Sequence, residues 1–177
     1  DGSTDTTTVR VTVDPNDAQE NTPGYEEGHT KPNTPVMVPQ TKDPNLPSGT
    51  TFEIPPNTTI PAGWTAEVDP NTGVVTVTPP ADATPGTSVD IPVKVTYPDG
   101  SSEETPVKVT VDTPDSGNHN PSYEEGRTKP SMPVTVPQTG DTTIPTGSRY
   151  EIPGGSNIPA GWTATIDPNT GAVTVTP

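Results

Sequence analysis

Apolar and polar residues alternate along several short stretches of this chain. In 64–68, Trp64, Ala66 and Val68 fall on one side, with Thr65 and Glu67 on the other. The stretch 74–78 puts Val75 and Val77 on one side, and 35–39 does the same with Val36 and Val38. A longer run alternates through Ile91, Val93, Val95 and Tyr97, and another through Val107, Val109 and Val111. Period-two alternation over short runs predicts strands with one buried face. No stretch spaces its apolar residues helically, and proline recurs too often for a long helix. Between the expected strands lie turns. "DPNTG" (69–73) has Asp first, Pro fixing φ second and Gly last, the chemistry of a type I turn with a glycine bulge. "YPDGS" (97–101) follows the same logic. Strands joined by tight hairpins, one apolar face each, predict an all-β chain of antiparallel β-sandwiches.

The pattern is repeated. "IPAGWTAEVDPNTGVVTVTP" from Ile60 returns as "IPAGWTATIDPNTGAVTVTP" from Ile158, a shift of 98 positions that needs no gap. The same shift carries "YEEGHTKP" at Tyr25 onto "YEEGRTKP" at Tyr123, and "FEIP" at Phe52 onto "YEIP" at Tyr150. It also relates "DGSTDTTTVRVTVD" from Asp1 to "DGSSEETPVKVTVD" from Asp99. A period of this size is one domain per repeat. The expected organisation is therefore a tandem array. Residues 1–13 are the last strand of a preceding repeat, 14–24 a linker and 25–111 a complete domain. Residues 112–122 are a second linker, and 123–177 a second domain lacking any counterpart of 80–111, which is to be sought beyond Pro177. Trp64 and Trp162 are expected to lie buried in equivalent places.

The copies test the face assignment against each other. Differences fall mainly on the expected outer face: Met37 against Thr135, Glu67 against Thr165, Val74 against Ala172. Inner positions keep their type: Val36 and Val134, Val75 and Val173, Val68 and Ile166, Phe52 and Tyr150. Cores tolerate volume-conserving exchanges best.

A net charge of −15 argues against nucleic acid and anionic membrane surfaces as partners, since phosphates require Lys and Arg. It favours a chain whose copies repel one another. There is no cysteine, hence no disulfide framework and no thiol chemistry. The 27 prolines and 16 glycines, about a quarter of the chain, approach the level of disordered segments, but the periodic apolar pattern points to folded domains. No signal peptide, membrane-spanning run or sorting signal is present, as expected of an internal stretch of a longer protein.

Candidate chemistry is sparse. Glu26–Glu27 recurs as Glu124–Glu125, but neighbours on a strand point opposite ways, so the pair reads as solvated charge. Asp69, Asn71 and Gly73 resemble part of a calcium loop without its closing Glu, and "DPNDAQE" (14–20) loses its Glu in the second copy. His29 is replaced by Arg127 in the other copy, and His119 falls in a linker, so neither reads as ligand or base. Lys31 and Lys129 in "TKP" would suit a Lys–Asn cross-link only if buried; "EEGHTKP" reads as an exposed loop. The sequon at Asn57 reads as a chance match. Tyr25 and Tyr123 are the repeated aromatics that could face a ligand. No catalytic residue, metal ligand or cofactor site is expected, and binding residues are left unassigned.

"GW…DPNTG…VTVTP" and "YPDGS" followed by "VKVTV" resemble the Rib/alpha-like repeat of Gram-positive surface proteins. The upstream "VPQT…LPSGTTFEIP" resembles its extended form, the long Rib domain, and the resemblance covers nearly the whole chain. It implies an immunoglobulin-like β-sandwich, tandem repetition, an extracellular place anchored to the cell wall, and no catalytic residues. The function expected is a stalk projecting an adhesin domain, with host ligands met by other domains and neighbouring repeats as the immediate partners. The alternatives are that each repeat is itself an adhesin for a host protein or glycan, or a non-catalytic module of a secreted enzyme.

Overall fold

The computed structural model describes residues 1–177 and divides them into two units, Asp1–Asp112 and Thr113–Pro177. The first holds one helical turn, α1 (Asp17–Glu20), and seven strands. These are β1 (Gly28–Thr30), β2 (Val36–Val38), β3 (Thr51–Glu53), β4 (Thr65–Val68), β5 (Val75–Thr78), β6 (Ser88–Thr96) and β7 (Ser102–Val111). They form a four-stranded sheet, β1-β7-β6-β3, and a three-stranded sheet, β2-β5-β4. This seven-strand, two-sheet arrangement is that of an immunoglobulin-like sandwich. The alternating valines meet between the sheets: Val75, Val77, Ile91, Val93, Val95, Val107 and Val109 are fully buried. Pro92 and Pro106 stand opposite each other in the β6–β7 ladder. At that level neither β1 nor β3 pairs with these strands, and such edges tolerate the missing N–H.

One pairing departs from the antiparallel expectation. β1 runs parallel to β7, with Gly28 opposite Val109 and Thr30 opposite Val111. Parallel neighbours require a long crossover, and here the chain passes through the other sheet between them. The stretch expected as an exposed loop, "EEGHTKP", thus contains a strand, with Gly28 and Thr30 buried.

The second unit holds a helical turn, α2 (Asp115–Asn118), and β8 (Val134–Val136), β9 (Thr163–Ile166) and β10 (Val173–Thr176). They form one sheet, β8-β10-β9, in the register of β2-β5-β4: Val175 faces Val134 as Val77 faces Val36. No second sheet covers it. Tyr123 is 42% exposed where Tyr25 is 6%, and Val175 is half-buried where Val77 is fully buried. Residues 126–128, identical to β1 but for Arg127, form no strand.

Two expectations on burial are corrected. Trp64 is half-buried and packs at the margin of the core, because β4 is an edge strand and Trp64 immediately precedes it. Trp162 is 45% exposed on the uncovered sheet. At the amino end, residues 1–13 form no regular structure, and Val9, Val11 and Val13 are exposed.

Candidate functional site

The doubled "DPNTG" stretch is the most heavily bonded turn. Asp69 accepts hydrogen bonds at Oδ1 from the amides of Asn71 (2.8 Å) and Thr72 (3.1 Å), and the Gly73 amide donates to the Asp69 carbonyl (2.9 Å). These donors hold the Asp69 carboxyl below its usual range, and the equivalent amides of Asn169 and Thr170 do the same for Asp167. Gly73 has φ +73°, and a Cβ there would meet the Phe52 ring at 2.8 Å. The turn is also held from outside. The Phe52 amide donates to the Pro70 carbonyl (3.0 Å), and the Tyr25 hydroxyl to the Gly73 carbonyl (2.6 Å). The second unit repeats both bonds, Tyr150 to Pro168 (3.1 Å) and Tyr123 to Gly171 (2.8 Å). The aspartate's oxygens are thereby occupied by the protein's own donors. No group of three or more His, Cys, Asp or Glu side chains converges on a point.

A second cluster ties residues 14–24 to the first domain. In the β6–β7 turn, Asp99 Oδ2 accepts the Asp17 amide (2.8 Å) and Ser101 Oγ accepts the Ala18 amide (3.0 Å). Asn16 Oδ1 accepts from the Gln19 amide (3.0 Å), and Gln19 Oε1 accepts from the Asn16 amide (3.1 Å), a capping box. The free amides of the first turn are thus satisfied, three from within one hairpin tip and one cap. Farther along, Asp43 accepts from the Thr22 amide (3.1 Å). The stretch expected as a linker is therefore bonded to the domain that follows it. The Ser101 hydroxyl, first, and the Asp17 and Ser101 amides lower the Asp99 carboxyl from its usual range.

A family model described as Long Rib domain matches residues 18–112 and 116–177. The chain belongs to the Long Rib domain family. No curated protein matches it. Among solved structures, it is similar to the human Desmocollin-1 ectodomain, at 15% identity and TM-score 0.37, over 89% of this chain and 34% of that one. It is similar also to the Protocadherin GammaB4 extracellular domain, at 14% identity and TM-score 0.33, over 87% and 25%. The chain thus spans about a third or less of these ectodomains.

In this Long Rib chain the carboxylates Glu26, Glu27, Glu124 and Glu125 are exposed, and Glu27 accepts from the Thr110 hydroxyl on β7 (2.5 Å). His29 pairs with Asp112 (3.1 Å) and His119 with Asp141 (3.0 Å). Neither imidazole bonds to a serine or threonine hydroxyl, so the trio a nucleophilic site needs is not assembled. Asp141 is held well below the usual carboxylate range, first by the Thr143 hydroxyl. Lys31 and Lys129 are exposed. Tyr25, the candidate ligand-facing aromatic, is a core residue, its burial raising the phenol to about 12. Asp43, Asp99 and Ser101 were not singled out from the sequence. The signal for Asp99 lay in the "DGS" turn, but its partners, the Asp17 and Ala18 amides, are over eighty positions away.

Proposed function

We propose that these repeats are a non-catalytic spacer in a bacterial cell-wall-anchored surface protein, a stalk whose length projects an adhesin domain. Long Rib membership supports a repeat of an extracellular surface protein. The observation that favours spacer over binding module is the place of Tyr25. The repeated aromatic that an adhesin face would need is 6% exposed, and its hydroxyl is spent on the Gly73 carbonyl. Outward positions, by contrast, change freely between copies: Met37 and Thr135, Glu67 and Thr165 are exposed and unlike. Binding of residues 14–24 to the hairpin tip shortens the free chain between domains, which suits a spacer.

The test is replacement in the cell-surface protein. Unrelated domains of equal length should restore adhesion lost on deleting repeats, and a soluble repeat should not compete. Failure of the foreign domains, together with competitive block by one native repeat, would make these modules adhesins instead.

A further inference from the structure

We infer that residues 1–13 of one copy of this chain pair with the uncovered sheet side of the second unit of another copy, giving head-to-tail association. Two unpartnered features carry this. The second unit has an open groove of about 990 Å³ lined by Gly126, Arg127, Val134, Val136, Trp162 and Val175. At the other end, Val9, Val11 and Val13 lie 85%, 82% and 92% exposed.

The first unit shows how such parts fit. There the equivalent groove is closed by β7, whose Val107, Val109 and Val111 are buried. Residues 8–14, "TVRVTVD", differ from 106–112, "PVKVTVD", only by Thr8 for Pro106 and Arg10 for Lys108. The β1–β7 register, Gly28 to Val109 and Thr30 to Val111, translates into Gly126 to Val11 and Thr128 to Val13. Residues 126–128 become a strand only with a partner, as their near-identical counterparts in β1 do.

The side chains fit the same register. In the first unit Glu27 accepts from Thr110, and His29 pairs with Asp112. The translated partners are Glu125 with Thr12, and Arg127 with Asp14. A half-neutral His–Asp pair becomes a permanent Arg–Asp pair, to which guanidinium geometry is well suited. Arg127 now bonds only its neighbour Glu125 (3.0 Å), both largely exposed, so it is available to change partner. The net charge of −15 per copy opposes association, and salt screens that repulsion.

Sedimentation of the whole chain from micromolar to near-millimolar concentration, in about 0.15 M salt, tests this. Concentration-dependent oligomers are expected, and Trp162 emission should shift to the blue as they form. Val11→Asp, which touches neither core, should weaken association at least tenfold, and deleting residues 1–13 should abolish it. Arg127→Asp should weaken it as well, and Asp14→Arg combined with Arg127→Asp should recover part of the loss. Mixing a chain without residues 1–13 with one carrying Gly126→Trp should give pairs that neither forms alone. A monomer throughout overturns the inference. So does association that survives deletion of residues 1–13, which would point to exchange of the β6–β7 hairpin instead. Neither outcome bears on the spacer reading, which the replacement experiment decides.

Discussion

The Tyr25 hydroxyl donates a 2.6 Å hydrogen bond to the carbonyl of Gly73, 48 positions on, and Tyr123 makes the same bond to Gly171 at the same separation. One aromatic thus fixes the far turn of the β4–β5 hairpin in each copy. Tyr25→Phe should cost about 1–3 kcal/mol, since a buried carbonyl loses its donor. Tyr25→Ala should cost about 3–5 kcal/mol by leaving a cavity as well. Denaturant unfolding measures both. A Tyr25→Ala loss below 1 kcal/mol would place this side chain outside the core.

Gly73 separates backbone strain from packing. Its φ is +73°, and the Phe52 ring stands where a Cβ would go, whereas Gly100 has φ +86° with nothing within 4 Å. Gly100→Ala should cost only the left-handed strain, about 1–2 kcal/mol. Gly73→Ala should cost visibly more, because Phe52 must move. Equal losses in thermal unfolding would contradict the packing argument.

Stability should fall in acid. Asp69, Asp99, Asp141 and Asp167 all have carboxyls lowered from 3.8 in the folded chain by hydrogen-bond donors. A lowered folded value means that the stabilisation is fully present above the unfolded value. It is lost as pH falls from about 4 through the lowered values. The melting temperature should be level from neutrality to about pH 5 as far as these groups decide it, then drop. Changing all four to Asn should flatten that drop; an unchanged acid limb would show that other carboxylates control it.

Asp99 acts locally. Asp99→Ala should speed hydrogen exchange at the amides of Asp17 and Ala18 while leaving Val93 and Val107 protected. α1 is one turn, too short to persist alone, and depends on the hairpin tip. Unchanged exchange at Asp17 would mean that the capping box at Asn16 suffices.

Residues 14–112 and 113–177 should differ as isolated fragments. The first carries both sheets and a continuous core, and should melt cooperatively. The second has one three-stranded sheet with Trp162 and Tyr123 exposed, an open edge and face that invite aggregation. A monomeric, cooperatively melting 113–177 would refute this.

Much of the fold was legible because a strand's face is a local property. Alternation alone placed Val75, Val77, Ile91, Val93, Val95, Val107 and Val109 inward, and all are buried. The 98-position shift likewise exposed the tandem organisation, since repetition is visible without knowing any contact. What alternation cannot give is the partner on the other side. "YEEGHTKP" and "YEEGRTKP" are nearly the same words, yet one contains a strand and the other does not. The difference lies in β7, eighty residues away in the chain, whose N–H and C=O groups β1 needs. The same holds for Trp162, apolar and correctly placed on its face, but exposed because no second sheet covers it. Tyr25 and the Asp99 clamp on α1 belong to this class too, as their hydrogen bonds join residues 48 and 82 positions apart. Sequence determined which side of each strand is apolar; tertiary structure decided which of those sides is dry, because burial requires a second surface that local pattern does not specify.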